Sequence, residues 1–443
     1  MPDAPPLPGP TEPFAFDANA ATLAFLQDGF REYGDVWAIP PSGDADSTSG
    51  GGGLPVWVLN DPEAIHRVLT KRQPQYGKGV GFERVKMLLG DGLIVSDGDH
   101  WKQRRRMLQP AFGRPSIAAM SGTIARCIDE RAHVWEEHAE SGEPIDISDE
   151  ANRLGQRIIL RAIFGEDLGA LDEREGGNPF DLIVDTQERD LMFAMRFRQL
   201  WPVVREIVEA RRARGGPPSH DFLGLYAAAR DRETGEALDM NGLVDEVMTL
   251  VIAGHETTAA TTAWAWSLLA RHQDVQVALR KEALDVGPPV VDGSASPQAS
   301  YDLAPRIVHE TLRLYPPVWM FTRRALEDDV LAERPIPAGT QILITPYLLH
   351  RHPRYWDDPE RFDPTRIPAS GIAPTRGAYI PFSSGPRRCA GDGFALNATV
   401  QHLVRTASRY HLDALHPEPP ELDPGVNLRA LGSIRLGVTR ATT

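Results

Sequence analysis

A mainly α-helical chain with a small β-rich lobe is what the sequence predicts, and three observations predict it. Apolar residues recur at helical spacing through residues 124–138, 147–165 and 179–214, and through a longer run at 243–270. Strand-like runs are few and short, at 36–39, 54–59 and 341–345. Stretches rich in glycine, proline and serine at 42–53 and 288–300 read as exposed connections, the first as a flexible hairpin loop.

Taken in order, residues 1–13 are proline-rich and acidic, with no apolar run long enough for a signal or an anchor. The protein is therefore expected to be soluble and cytoplasmic. Residues 20–33 have the pattern of a short amphipathic helix, and Asp61-Pro62-Glu63 supplies an N-cap with proline in the first turn of the next. Residues 73–92 are punctuated by glycine and are predicted irregular. A helix starts near Asp99, and it places Trp101 and Arg105, four apart, on one face. Residues 101–116 hold five basic and no acidic residues, in a chain of net charge −14. That overall charge argues against nucleic acid as a partner. Further on, Phe193, Met195, Phe197 and Trp201 form an apolar cluster that suits helix packing as well as substrate contact.

The run 243–270 contains an anomaly. Ala253-Gly254-His255-Glu256-Thr257-Thr258 interrupts an apolar helix with polar groups, and Gly254 costs about 1 kcal/mol there relative to alanine. Gly254 is expected to weaken regular packing and open a groove for water beside Thr257. Such a local violation points to function. Glu310 and Arg313 lie i,i+3 on a helix that Pro316-Pro317 ends, and Trp356-Asp357-Asp358-Pro359-Glu360-Arg361-Phe362 follows. Residues 427–438 read as a terminal strand pair turning at Leu431-Gly432.

The chemistry centres on Phe382-Ser383-Ser384-Gly385-Pro386-Arg387-Arg388-Cys389-Ala390-Gly391. Its cysteine is one of only two, so no disulfide framework exists and a reducing compartment is indicated. A thiol ahead of a helix and just after two arginines has its thiolate favoured by dipole and charge. Glycines on both sides allow tight turning and close approach of a bound group. Cys127, within a helical run, reads as core.

Phe382, Gly385, Arg387, Cys389 and Gly391 stand at every fixed position of the haem-binding loop of the cytochrome P-450 superfamily, which this chain resembles from about residue 55 onward. The resemblance implies the cytochrome P-450 fold as one haem domain over residues 20–443 behind a proline-rich extension at 1–19. It implies haem b with Cys389 as the axial thiolate ligand of iron, and cofactor contacts from Phe382, Arg387 and Gly391. Trp101 and Arg105 would meet the haem propionates. By its spacing to Ala325, Arg323 rather than Arg324 is assigned to a propionate. Thr257 matches the alcohol and Glu256 the acid of the family's proton-delivery pair. Glu310, Arg313 and Arg361 would form a buried structural triad. Phe82 to Ile94, Phe193, Ala253, Val318, Trp319 and Leu431 are the candidate substrate-pocket residues. One departure is Ala398, where the family often has glutamate.

The resemblance implies a monooxygenase that inserts one oxygen atom from O2 into a lipophilic small molecule. Its electrons would come from NAD(P)H through a separate ferredoxin- or flavodoxin-type donor, since no fused module is visible. That donor is expected to dock over Lys102, Arg104, Arg106 and Arg388. A monomer without a membrane anchor is expected. A peroxide-dependent peroxygenase or hydroperoxide-rearranging enzyme is the main rival, and a non-catalytic haem sensor the other. The intact Glu256-Thr257 pair argues against both.

Overall fold

A computed structural model describes residues 6–41, 53–185, 191–215, 219–289 and 297–441. The glycine-rich insert lies almost wholly outside them, as does most of 288–300. The chain opens with α1 (Ala20–Tyr33), whose Asn19 cap accepts from Thr22 N–H at 2.9 Å, followed by β1 (Val36–Ile39) and β2 (Val56–Leu59). Then come α2 (Pro62–His66), β3 (Tyr76–Lys78), α3 (Phe82–Leu89) and α4 (Gly98–Leu108). Next are α5 (Arg114–Glu130), α6 (Ala132–Ser141), β4 (Ile145–Asp146) and α7 (Ile147–Phe164). Shorter helices follow: α8 (Asp167–Asp172), α9 (Leu182–Asp185), α10 (Leu191–Arg198), α11 (Leu200–Arg214) and α12 (Phe222–Ala228). The long α13 (Met240–Leu269) precedes α14 (Gln273–Val286) and α15 (Leu303–Leu314). Strands β5 (Phe321–Ala325), β6 (Asp329–Leu331), β7 (Arg334–Ile336) and β8 (Gln341–Ile344) lead to α16 (Pro346–Leu349). The chain closes with α17 (Asp392–Ala407), β9 (Tyr410–Ala414), β10 (Leu422–Pro424), β11 (Leu428–Ala430) and β12 (Arg435–Arg440).

These elements pack into two compact units. The first comprises Met1–Glu83, Pro305–Cys389 and Glu418–Gly432. Its five-stranded sheet has the order β1-β2-β8-β5-β3, with β2 and β8 parallel and the other pairs antiparallel. Both β2 and β8 are buried along their whole length, which fits their apolar runs Val-Trp-Val-Leu and Gln-Ile-Leu-Ile. The period of two then sends alternate residues to opposite faces. Trp57, Leu59, Ile342 and Ile344 join one apolar cluster, with Val68, Leu69 and Ile380. Val56, Val58 and Leu343 join another, with Leu26, Trp37 and Trp319. The N-terminal stretch belongs to this unit too: Pro8 O accepts from Ala38 N–H at 2.9 Å, and Phe14 stacks on Phe25 at 3.8 Å.

The second unit, Arg84–Ala304 with Ala390–Pro417 and Ser433–Thr443, is mainly helical. Its core runs along α5, α7, α11 and α13. Strands β4, β12 and β9 form a three-stranded antiparallel sheet at its margin. Here α7 and α13 approach closely because both carry glycine at the crossing. A Cβ on Gly254 would lie 2.6 Å from Ile159 Cδ1, and one on Gly155 would lie 3.4 Å from Ala259 Cβ. Gly254 is therefore a packing residue and not the opening of a groove beside Thr257. The polar neighbour His255 is fully buried, with Nε2 2.8 Å from Asn152 O.

Two other expectations are corrected. Residues 73–92 are not irregular: β3 pairs with β5, and α3 follows it. Residues 427–438 are not one strand pair, because β11 pairs with β10 while β12 pairs with β9 and β4. Spacing alone suggests a hairpin at Leu431-Gly432, but Gly432 (φ 76°) ends one sheet before the chain joins another.

Candidate functional site

In the first unit, the cysteine loop is closed by its own backbone. Ser383 N–H donates to Ile380 O at 2.9 Å, and Cys389 N–H donates to Phe382 O at 2.9 Å. Ser383 (φ 60°) and Gly385 (φ 70°) both take the left-handed conformation. Glycine is required at the second, since a Cβ there would meet Leu69 O at 2.0 Å. A single 3₁₀ turn, Gly385–Arg387, then leaves Cys389 exposed, with Phe382 and Arg387 half-buried. The other cysteine, Cys127, is buried, and burial pushes its thiol up to about 11, which makes it inert.

A hydrogen-bonded chain supports this loop from behind. Arg313 makes a two-pronged contact with Glu310, at 2.8 and 2.7 Å, and both side chains are fully buried. Arg313 also donates to His350 O (3.0 Å), Pro359 O (2.6 Å) and Arg361 O (3.1 Å). His350 Nε2 accepts from Ile380 N–H at 2.9 Å, and Ile380 O holds Ser383. Burial pushes His350 down to about 3, helped by Arg313 and Arg351, so the imidazole stays neutral and keeps that acceptor. Burial also pushes the Glu310 carboxyl up, while Arg313, Asp363 N–H and Arg366 pull it down.

The expected triad is thereby corrected. Arg361 contributes its carbonyl, while its side chain is 60% exposed and pairs with Asp363 at 2.9 Å. The second guanidinium near Glu310 is that of Arg366, 11% exposed and 3.5 Å away. No local sequence signal singles it out, because the turn at Asp363 decides which guanidinium reaches Glu310.

In the second unit, α13 is buried on nearly all sides except for a stripe. Ile252, Ala253, Glu256, Thr257 and Ala260 are all half-exposed and recur at helical spacing. Thr258, about 100° further round the helix, is 6% exposed. The Thr257 hydroxyl donates to Ala253 O at 2.9 Å, as mid-helix threonine does. Its proton is thus engaged, and its lone pairs are what it offers outward. Gly391 caps α17, and its φ of −91° and nearest neighbour (Phe112, 3.7 Å) leave room for a Cβ.

The remaining predicted residues divide. Trp101 is 7% exposed and Arg105 half-buried, both on α4 of the second unit. On β5 of the first unit Arg323 is 5% exposed, whereas Arg324 is exposed. Phe82 is half-buried, with Lys78 Nζ 4.4 Å from its ring centroid, and Val318 and Leu431 are exposed. Two pocket assignments are overturned. Phe193 is buried against Phe197 in the helical core, and Trp319 is buried with its indole N–H on Gly425 O at 2.9 Å. Aromatic side chains at such spacing serve packing when their neighbours are equally apolar.

The basic strip is corrected as well. Lys102 pairs with Asp99 (2.9 Å), and Arg106 binds Asp231 (2.9 Å) and Glu233 (2.8 Å). Arg104 is only 13% exposed and stands 4.0 Å from Glu246. Asp99, Asp231 and Glu233 neutralise what looks locally positive, and burial withdraws Arg104 from the surface.

These residues fit a thiolate-bound haem. Among the described residues no group of three or more His, Cys, Asp or Glu could hold a bare ion. One accessible thiol in a backbone-fixed loop suits an iron that arrives already held by a macrocycle. Gly391 is glycine although no protein atom requires it, as close approach of a flat group would demand. Residues 47–208 and 178–432 match the model of the Cytochrome P450 family. The chain belongs to the cytochrome P450 family. It is a P450 monooxygenase, an oxidoreductase that uses haem, O2 and reducing equivalents. It is 31% identical over 403 residues to cyclooctatin synthase of Streptomyces melanosporofaciens, covering 87% of this chain and 86% of that one. Cyclooctat-9-en-7-ol 5-monooxygenase of the same organism is 33% identical over 373 residues, covering 79% of each. The crystal structure of the cytochrome P450DA heme domain superposes with a TM-score of 0.83 at 25% identity, covering 99% of this chain and 97% of that chain. Among the described residues no helix is long and apolar enough to cross a membrane.

Proposed function

We propose that this P450 hydroxylates or epoxidises a lipophilic terpenoid, with electrons delivered from NAD(P)H by a separate ferredoxin- or flavodoxin-type protein. The substrate class rests on the alkenol named in its relative's activity and on the half-exposed Ile252, Ala253 and Ala260 of α13. Haem, once bound, supplies the binding and reductive activation of O2. The protein residues supply the rest. Cys389 would hold the haem iron through its sulfur, in a loop that backbone hydrogen bonds keep fixed and open. Arg323, Trp101 and Arg105 would hold the haem through its propionates, and Arg387 would add positive charge beside the thiolate. Phe382 and Gly391 shape the seat of the ring. The Thr257 hydroxyl, its proton given to Ala253 O, accepts a hydrogen bond and so holds a water in line for proton transfer. Glu256, one residue before it on the same open stripe, relays protons from solvent.

The electron donor docks on the first unit around the cysteine loop. Lys71, Arg376 and Arg388 are all exposed there. Lys71 and Arg376 both lower the pKa of His66, after burial itself, which places these cations beside one another. His66, Thr70, Arg376, Ser384 and Gly385 line a single depression of about 130 Å³ next to the loop. A positive patch on a protein of net charge −14 can steer an acidic partner.

The observation that carries this reading is Cys389, the one exposed thiol, in a loop whose backbone is fixed around it. The test is turnover of candidate terpenoids with NADPH, a surrogate donor pair and isotopically labelled O2. One labelled oxygen atom in the product supports the reading. Turnover with peroxide alone, and none with NADPH and O2, overturns it in favour of a peroxygenase.

A further inference from the structure

The segment 90–93, between α3 and α4, lies along one side of α13 in a cluster whose buried acid, Glu246, has no role above. Gly242, Asp245, Glu246 and Thr249 fall at i, i+3, i+4 and i+7, on a single face of that helix. The segment is fastened there through its backbone: Asp91 N–H donates to Asp245 Oδ2 and Leu93 N–H donates to Glu246 Oε2, each at 3.0 Å. Glycines allow the approach. A Cβ on Gly90 would lie 2.6 Å from Asp245 Oδ1, and one on Gly92 2.0 Å from Thr249 Oγ1. From α4, the Arg104 guanidinium covers Gly242, where a Cβ would lie 2.3 Å from Nη2.

The cluster is incompletely paired. The Glu246 side chain is 2% exposed, and its Oε1 is 4.0 Å from Arg104 Nε, too far for a hydrogen bond. Glu246 Oε1, Arg104 Nη1 and Thr249 Oγ1 are buried without a hydrogen-bond partner among the described residues. An ionised Glu246 thus has one N–H for two buried oxygens, which is costly. The charged and titratable groups around it are Asp239 and Asp245 on α13 and Arg104 on α4. Asp91 lies on the segment, with His100 and Lys86 beside it, and Tyr226 is contributed by α12, with Arg105 nearby. Lys86 is taken up by Asp91 at 2.5 Å, which leaves Arg104 shared between Asp245 and Glu246.

We propose that Glu246 makes the segment 90–93 a proton-operated latch, closed on α13 while Glu246 is neutral and loosening as it ionises. A neutral carboxyl still accepts from Leu93 N–H, and it no longer leaves a half-paired charge buried beside α13. Burial pushes Glu246 up to about 7, against Leu93 N–H and Arg104, which pull it down. Burial raises Asp245 too. The closed segment therefore binds the proton more tightly than an open one. Closure is strongest below the ordinary carboxyl pKa and is lost as pH rises through about 7. The latch stands whether or not the proposed substrate class is right.

Hydrogen exchange of the full-length ferric protein, followed by mass spectrometry over residues 89–94 and corrected for the intrinsic pH dependence, tests it. The opening constant should rise about tenfold from about pH 6 to about pH 8 in the wild type, while distant helices stay protected. Glu246→Gln should hold the segment closed with no pH dependence. Asp245→Asn removes a neighbouring negative charge, so it should move the transition to lower pH and serves if the first variant does not fold. A wild-type segment whose protection ignores pH, or an unchanged transition in Asp245→Asn, overturns the proposal.

Discussion

In the cysteine loop the backbone carries the geometry, whereas in the middle of α13 the backbone stays regular and side chains carry it. The loop uses left-handed residues at Ser383 and Gly385 and two internal N–H donors to aim one thiol outward. The helix keeps its ladder, donates the Thr257 hydroxyl to Ala253 O, and leaves Ala253, Glu256, Thr257 and Ala260 on one half-exposed stripe. The loop should tolerate almost no change, because each part constrains the next. The helix should tolerate replacement of one polar side chain without loss of structure, so its defects should appear in chemistry alone.

That contrast can be broken most directly at Cys389. Cys389→His should abolish the red-shifted Soret band of the ferrous carbon monoxide adduct, while Cys127→Ser, at a buried thiol, should leave it. The next largest effect concerns the supports of the loop. Arg313→Ala strands a fully buried Glu310 and three backbone carbonyls, and should cost about 3–5 kcal/mol in denaturant unfolding, with haem loss. Arg361→Ala should cost about 0–1 kcal/mol, since only its exposed side chain is lost. Equal losses in the two would contradict the corrected pairing.

On the helix side, Thr257→Ala should keep the haem spectrum and substrate affinity. It should divert electrons to hydrogen peroxide, with product per NADPH falling by up to about 10²-fold. Thr258→Ala, at a buried neighbour, is the control and should stay coupled. Acid sharpens the comparison further. His350 is held near 3 in the folded protein, well below an unfolded histidine, so its contribution is intact above about pH 6.5 and is lost as pH falls toward 3. His350→Gln, which keeps an acceptor near Ile380 N–H, should flatten the acid dependence of unfolding. The smallest expected effect is kinetic. Charge reversal at Lys71 and Arg376 should slow first-electron transfer at low salt, while reversal at Arg106, already held by Asp231 and Glu233, should not.

The parts of this site that were legible in the sequence are those written in contiguous residues. The cysteine loop is one, and α1 and β1 are others, where period and cap are local. The rest depends on partners far along the chain. Arg366 cannot be told from Arg361 by spacing, because the turn at Asp363 decides which guanidinium reaches Glu310. Gly254 reads as a defect until Ile159 is found against it. The basic run on α4 looks free until Asp231 and Glu233 come into view. Strands β11 and β12 look like a hairpin because nothing local says that their partners differ.

The pairing of β2 with β8 has a consequence for synthesis. Trp57 lies opposite Ile342, so β2 must wait for nearly three hundred further residues before its parallel neighbour leaves the ribosome. Its two-stranded pairing with β1 can form early, but such a hairpin is marginal alone, and its other edge stays open meanwhile. By contrast α7 and α13, about a hundred residues apart, can meet first and bury the helical core. Slow translation between residues 270 and 345 would then lengthen the exposure of an apolar strand edge, and chaperone demand should be greatest in that window of synthesis.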